Sequence, residues 1–193
     1  YQVPLLALRS DVQGISPNRL TARTSSTLEA VTGALSSGVR TYTSATTYTG
    51  LDGSGIGIAI LDSGIGNYNK AMNDDTGAIR VKRAVDFQKV GDATAVGAKD
   101  WTAGVDASVG MIPGSAAMAT YESNIDSTGA KLRDPYGHGS HVASIAAGRG
   151  YFQSPDASGV APKANLYDVK VLDSRGYGQM SDVIAAIDWV IYH

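Results

Sequence analysis

Three short apolar runs, separated by polar stretches, predict the strands of this chain. Gly57–Leu61 is continuously apolar, as in a fully buried strand of a parallel sheet, and the turn residues Asp62–Gly66 follow it. Ile79–Phe87 alternates in part between apolar and polar positions, and Asn165–Leu172 is the third run. We expect all three runs to be strands.

Two further stretches have the spacing of helices. His138–Ala147 is preceded by Gly137 and followed by Gly148, and these glycines predict its two ends. A second helix begins at Met180, and its apolar residues recur at helical spacing: Val183, Ile184, Ile187, Val190 and Ile191. Strands and helices therefore alternate along the chain, which predicts an α/β fold with a central parallel sheet.

The remaining segments are less regular. Residues 1–20 include a strand-like stretch, Val12–Ser16, whereas residues 21–50 are rich in Ser, Thr, Gly and Ala and have few apolar anchors. We interpret residues 21–50 as a linker or a loosely held loop. Residues 89–133 are rich in small residues and Asp, and we expect an insertion that carries a short hairpin.

Composition places the chain among globular proteins. Of its 193 residues, 43% are hydrophobic and 23 are glycine, which is enough for a packed core. The net charge is −2, so we expect no nucleic-acid partner. No apolar run approaches the ~18 residues of a membrane-spanning helix, so we expect no membrane partner either.

Cysteine is absent, which excludes thiol catalysis and thiolate metal sites. Imidazole chemistry must therefore use His138, His141 or His193. The chain begins at Tyr1 without a leader, and its final helix runs to His193 with no residue that would stop it. We interpret the sequence as a piece of a longer protein.

Two residues are candidates for catalysis. Asp62 follows the first strand, at the sheet edge where α/β proteins place catalytic groups. His138 begins the next helix with a glycine on each side, which permits close approach of another backbone. Taken singly, Asp62 is explained as a cap of the turn before Gly64, and His138 as a helix-start residue. Taken together above one sheet edge, they form the orienting acid and the general base of a nucleophilic triad.

Two other interpretations have less support. His138 and His141 lie one turn apart on one helix face, as in a metal site, but no third ligand is evident and we predict no metal there. Gly53, Gly55 and Gly57 suggest a dinucleotide-binding domain. That fingerprint needs glycines after a strand, however, and these glycines precede one.

Five segments, in order over about residues 50–193, resemble the subtilisin-like serine proteases, or subtilases. Ile58–Ile65 (IAILDSGI) resembles their aspartate motif. Asp134–Ala143 (DPYGHGSHVA) resembles their histidine motif, with Ser140 where the family usually has Thr. The other matches are Gly159–Leu166, which leads into the next strand, Val169–Leu172 with Gly176–Gly178 at the substrate edge, and the helical Ser181–Ile191. The order Asp before His is also that of the subtilisin type.

The resemblance implies a fold and an activity. It implies a three-layer fold with a central parallel sheet, incomplete in this chain, and a secreted serine endopeptidase that acts on peptide or protein substrates. Asp62 would orient the imidazolium and His138 would take the proton of the nucleophile, whereas His141 does not match the catalytic position. Extended peptide would add as an edge strand beside the residues that match the substrate-binding positions: Leu172, Gly176, Tyr177, Gly178, Met180 and Val183.

The chain also departs from the family pattern. It contains no Gly-Thr-Ser-Met-Ala nucleophile motif and lacks the Asn of the oxyanion hole, so it would supply Asp62 and His138 but not Ser. Alone, it is expected to be inactive. Calcium is possible in the longer protein, but its site is unknown, because Gly148–Ser158 is short and lacks the Asn/Asp pattern of the family's calcium loop.

The resemblance divides the chain into three parts. Residues 1–20 resemble the end of a propeptide, residues 21–50 would be a processing region or N-terminal arm, and residues 51–193 would be the N-terminal part of the catalytic domain. The expected partners are then the substrate, the protein's own propeptide and the missing C-terminal part of the domain. The alternative is a non-catalytic subtilase-like module that binds peptides.

Overall fold

The computed structural model of the chain describes residues 27–44, 47–66, 68–91, 114–131, 133–150 and 158–193. Within those ranges the helices are α1 (Thr27–Val31), α2 (Gln88–Gly91), α3 (Ala116–Ile125), α4 (His138–Ala147) and α5 (Met180–Tyr192). The strands are β1 (Arg40–Tyr42), β2 (Tyr48–Gly50), β3 (Gly57–Asp62), β4 (Val81–Asp86) and β5 (Asn165–Lys170). None of these helices is long and apolar enough to cross a membrane.

Three parallel strands form the central sheet, in the order β3-β5-β4. The middle strand is β5, in which Asp168 pairs with Ile60 of β3 on one side and with Ala84 of β4 on the other. Each predicted apolar run coincides with one of these strands to within two residues at each end, so the α/β fold with a parallel sheet is confirmed. The alternation of Ile79–Phe87 is only partial because the register against β5 shifts near the start of β4.

Helices cover both faces of the sheet, which gives the predicted three layers. One face packs against α3 and α5 through a cluster of buried residues: Val85, Phe87, Tyr121, Ile125, Val169, Val171, Ala185, Ala186 and Trp189. The opposite face packs against α4 and the 3₁₀ turn Lys70–Met72 through a second cluster: Ile60, Ile65, Met72, Val81, Ala143, Ala147, Ala164 and Leu166.

The ends of the two predicted helices agree with the sequence pattern. The N-cap of α4 is Gly137, whose φ of 91° lies in the left-handed region that glycine adopts without strain, and its C-cap is Gly148. Helix α5 begins at Met180 and ends at Tyr192. One end of α4 therefore places His138 at the sheet edge where β3 ends.

Residues 27–50 differ from the predicted loose loop. They form α1 and a hairpin in which β1 pairs with β2, although residues 45 and 46 lie outside the described ranges. A buried ion pair between Arg40 and Glu29 joins the helix to the hairpin. Arg40 also donates to the backbone oxygens of Leu51 (2.8 Å) and Val160 (2.8 Å). The prediction was wrong because it counted apolar anchors, and the anchors of this segment are buried polar groups.

Residues 89–133 contain no hairpin in the part that the structure describes. Their described part from 114 to 131 contains helix α3 rather than a hairpin. Ser115 caps α3 by accepting from the backbone N–H of Met118 (3.1 Å), and Tyr121 and Ile125 bury one side of the helix against the sheet. About half of the insertion, from 92 to 113, lies outside the described residues, so the hairpin stays a prediction there. The predicted strand Val12–Ser16 also lies outside them.

Candidate active site

Asp62 and His138 meet at one edge of the sheet. Asp62 is the last residue of β3 and His138 the first of α4. The His138 Nδ1 atom lies 2.8 Å from Asp62 Oδ2 and 2.9 Å from Oδ1. The two residues that the motifs singled out are therefore hydrogen-bond neighbours.

Glycines allow the two motifs to approach this closely. Gly64 has a φ of 117°, and a Cβ atom there would lie 2.0 Å from the backbone oxygen of Arg133. A Cβ atom on Gly139 would lie 2.1 Å from the backbone oxygen of Gly64. Because no real side chain tolerates these distances, the turn after β3 can pack on the start of α4 only with glycine at both positions.

The surroundings of the pair hold the Asp62 carboxylate in place and leave the His138 ring accessible to solvent. Asp62 Oδ1 also accepts the backbone N–H of Ser63 (2.7 Å), and its side chain is 11% exposed, whereas that of His138 is 55% exposed. Since a carboxylate only accepts hydrogen bonds, Nδ1 is the protonated nitrogen in this contact. The Nε2 atom of the neutral ring is then an acceptor, as a general base requires.

The six predicted substrate-binding residues lie along the stretch of chain that runs from the end of β5 into the first turn of α5. The backbone N–H groups of Val171 and Leu172 donate to the backbone oxygen of Asp62 (2.8 and 3.2 Å), so this segment begins beside the catalytic candidate. Leu172 and Val183 pack against the core cluster under α5, whereas Tyr177 and Met180 are 70% and 74% exposed.

The two glycines of this set lie where another part of the chain comes too close for a side chain to fit. A Cβ atom on Gly176 would lie 2.8 Å from the ring of Tyr136, and one on Gly178 would lie 2.2 Å from the backbone oxygen of Val171. The Tyr136 ring centroid is in turn 6.3 Å from that of His138. Tyr136 thus connects the histidine motif with the predicted substrate edge, a link that the sequence did not suggest.

The other candidates from the sequence have different surroundings. His141 is exposed on α4, one turn beyond His138. The hydroxyl groups of Ser63 and Ser140 both donate to the carboxylate of Asp134, at 2.7 and 2.6 Å. Each hydroxyl also accepts a backbone N–H, from Gly139 for Ser63 and from Gly66 for Ser140, so both are held within the structure rather than by His138.

Asp168 is a buried carboxyl group beneath the site that sequence reasoning did not single out. It lies in β5 with 2% of its surface exposed. Burial raises its pKa to about 7, although a hydrogen bond from the backbone N–H of Ile65 acts in the opposite direction. Its Oδ1 atom has no hydrogen-bond partner in the part of the chain that the structure describes. The sequence signal for this buried carboxyl was the presence of an Asp inside the apolar run Leu166–Val169.

Replacing Asp168 by asparagine is expected to flatten the dependence of stability on pH. Folding raises the pKa of this carboxyl from 3.8 to about 7, so the folded state binds more protons between those values. This carboxyl therefore contributes most to stability below about pH 4, and on the order of 4 kcal/mol of its contribution is lost as the pH rises from about 4 to about 7. Asparagine does not titrate, so urea unfolding at about pH 5 and about pH 8 should give a smaller difference for the variant. An equal difference in both proteins would contradict this prediction.

Similar proteins are known among proteases. Alkaline protease 2 of Aspergillus fumigatus is 52% identical over 58 residues, which are 30% of this chain and 10% of that protein. Serine protease AprX of Bacillus subtilis is 42% identical over 60 residues, which are 31% of this chain and 14% of that protein. The matched regions are thus a small part of each relative.

Solved structures give longer but more distant matches. Sphericase is 26% identical with a TM-score of 0.45, over 81% of this chain and 41% of that one. A cold adapted subtilisin-like serine proteinase is 25% identical with a TM-score of 0.43, over 74% of this chain and 34% of that one. The family model for peptidase S8, described as the subtilase family, matches residues 53–193, well over half of the chain. The chain therefore belongs to the subtilase family.

Proposed function

We propose that this chain supplies the aspartate and the histidine of an Asp-His-Ser triad in a secreted subtilisin-like serine endopeptidase. The serine would come from sequence outside these 193 residues. The observation that carries the proposal is the 2.8 Å contact between His138 Nδ1 and Asp62 Oδ2 at the edge of the parallel sheet. Membership of the subtilase family supports it, since both residues lie within the matched region 53–193.

The arrangement suits the acid and base steps of peptide-bond hydrolysis. Asp62 holds the imidazole ring through Nδ1, so Nε2 of His138 can accept the proton of a serine hydroxyl as that hydroxyl attacks the carbonyl carbon. The imidazolium formed in this step is stabilised by the Asp62 carboxylate. It then gives the proton to the leaving amine, which restores the neutral imidazole. The same imidazole takes a proton from the water that hydrolyses the acyl-enzyme and returns that proton to the serine oxygen as the acyl group leaves.

The substrate would bind along the segment that follows β5. Leu172 and Val183 are anchored on the core and would form the floor of the binding groove, while the exposed Tyr177 and Met180 would form its walls. An extended peptide beside this segment gains backbone hydrogen bonds for affinity and side-chain pockets for selectivity. Gly176 and Gly178 let this segment pack against Tyr136 and the backbone of Val171, where a side chain would collide.

A non-catalytic peptide-binding module is the second candidate, because the chain contains no Gly-Thr-Ser-Met-Ala motif. The two functions differ in whether the complete protein contains an activated serine. A fluorophosphonate probe forms a covalent bond only with such a serine, so we would apply it to the full-length product of the gene. Labelling that depends on His138 would support the peptidase. An unlabelled, folded protein that still binds an extended peptide would favour the module.

The isolated 193-residue chain is expected to show no peptidase activity. It has neither the nucleophile nor the oxyanion donor, which together provide most of the rate enhancement of a serine peptidase. The measurement is release of soluble fragments from an unstructured protein such as casein, with a chain carrying His138→Ala as the matched control. Turnover by the purified chain that this substitution abolishes would contradict the prediction.

We extend the proposal to a zymogen. Residues 1–20 would be the end of a propeptide, residues 21–50 a processing region and N-terminal arm, and residues 51–193 the first part of the catalytic domain with an insertion at 89–133. The match of Val12–Pro17 to the end of a subtilase propeptide supports this division. So does the exposure of Ser36, Ser37 and Gly38, which form an accessible turn within the processing region.

A further inference from the structure

Asp134 is a buried carboxylate at the centre of the seam between the two catalytic motifs. Only 9% of its surface is exposed, and its two oxygens accept four hydrogen bonds. Oδ1 accepts the hydroxyl of Ser63 and the backbone N–H of Gly137, both at 2.7 Å. Oδ2 accepts the backbone N–H (2.8 Å) and the hydroxyl (2.6 Å) of Ser140.

The direction of each bond in this network follows from the charge of Asp134. A carboxylate only accepts, so both serine hydroxyls must donate to it, and their lone pairs remain for other donors. The Ser63 hydroxyl accepts the backbone N–H of Gly139 (3.0 Å), and the Ser140 hydroxyl accepts that of Gly66 (2.8 Å). Every member is therefore satisfied, and satisfied buried networks hold one arrangement rigidly.

The ionised state of Asp134 is maintained by the same contacts. Burial acts to raise the pKa of this carboxyl, but the hydrogen bonds from Ser140, Ser63 and Gly137 outweigh burial and hold the pKa below its usual range. A neutral group at this position would have to donate one hydrogen bond into a site that contains only donors. The network thus requires a charged acceptor at residue 134.

The network connects the neighbours of Asp62 with the neighbours of His138. Ser63 follows Asp62 directly, and Gly137 and Gly139 flank His138 on either side. Of the four bonds that Asp134 accepts, one comes from Ser63, one from Gly137 and two from Ser140, which lies two residues beyond His138, and none comes from the pair itself. Asp134 is placed to set the distance and the angle between the two side chains without taking part in the chemistry.

We propose that Asp134 is a positioning residue that holds the imidazole of His138 against the carboxylate of Asp62. An effect of Asp134 on catalysis rests on the function proposed above. Its effect on the contact between His138 and Asp62 does not depend on that function. If Asp134 only stabilised the fold, its loss would lower the stability and leave the His138–Asp62 contact unchanged in the molecules that remain folded. The two roles can therefore be separated in this chain alone, without a serine.

The test is the proton on His138 Nδ1, observed by NMR in the ¹⁵N-labelled chain. A proton shared with a carboxylate resonates far downfield and exchanges slowly with water. Asp134→Asn retains the size but puts an amide NH₂ against the donors of Ser140. We expect this proton to exchange about tenfold faster or more, the effect of losing one buried hydrogen bond to a charged group. Asp126→Asn is the matched control, because that exposed carboxyl contacts Thr128 and belongs to a separate cluster.

Two variants of Ser140 decide the question if Asp134→Asn does not fold. Ser140→Ala removes one hydroxyl of the network and should also speed the exchange. Ser140→Thr keeps the hydroxyl and should restore the slow exchange of the parent. Folded variants at Asp134 or Ser140 that all retain the parent's resonance and exchange rate would overturn the proposal. An inactive full-length protein would overturn the proposed function and leave this result as it stands.

Discussion

Replacing His138 by alanine in the full-length product of the gene is expected to lower kcat/KM for a peptide substrate by on the order of 10⁶-fold, the loss that removal of the triad histidine causes in subtilisin. The structure gives the reason. His138 carries the Nε2 atom that would accept the serine proton, and its Nδ1 is held by Asp62 at 2.8 Å. Without the imidazole, no other described side chain in contact with Asp62 can take that proton.

His141→Ala is the matched control for this measurement. The same residue type is removed from the same helix one turn later, from an exposed position away from Asp62. We expect kcat/KM to remain within about tenfold of the parent, since surface substitutions of this kind change stability little. Comparable losses in both variants would contradict the assignment of the general base. Substrate cleavage can be followed with a fluorogenic peptide, together with a thermal melt that confirms folding of each variant.

The sequence predicted best those elements whose signals are local. The strand β3 follows from one uninterrupted apolar run, and the ends of α4 follow from Gly137 and Gly148. Gly137 adopts a left-handed conformation, and a Cβ atom on Gly148 would lie 2.5 Å from the backbone oxygen of Ser144. The approach of Asp62 to His138 was inferred from the ends of two adjacent elements. It required only that parallel strands end at one edge of the sheet.

Interactions between distant polar residues could not be predicted in the same way. Glu29 and Arg40 look like ordinary surface charges, and only the fold shows that both are buried and paired. Helix α3 has just two buried anchors, Tyr121 and Ile125, so its apolar pattern was too weak to predict it. The role of Asp134 depends on four donors brought from two segments of the chain. Such a cluster produces no periodic pattern in the sequence from which it could be predicted.

Replacing Arg40 by alanine is expected to lower the free energy of unfolding by about 3–5 kcal/mol, the cost of breaking a buried ion pair from one side. The partner Glu29 has no exposed surface, so its charge would remain buried. Among the described residues, the hydroxyl of Tyr42 (2.9 Å) would be the remaining side-chain donor to its Oε1 atom. The backbone oxygens of Leu51 and Val160 would also lose the guanidinium. Urea unfolding followed by the fluorescence of the buried Trp189 measures the loss.

Arg175→Ala is the control for this substitution, because Arg175 forms an exposed ion pair with Asp173 (3.0 Å). Such pairs contribute about 0–1 kcal/mol, so the control should differ little from the parent. Removing Glu29 together with Arg40 should cost less than the sum of the single losses, since neither charge is then left buried alone. A loss for Arg40→Ala no greater than that for Arg175→Ala would contradict the prediction. It would mean that residues 27–50 are not anchored by the buried pair, and that the loose loop expected from their composition describes them better.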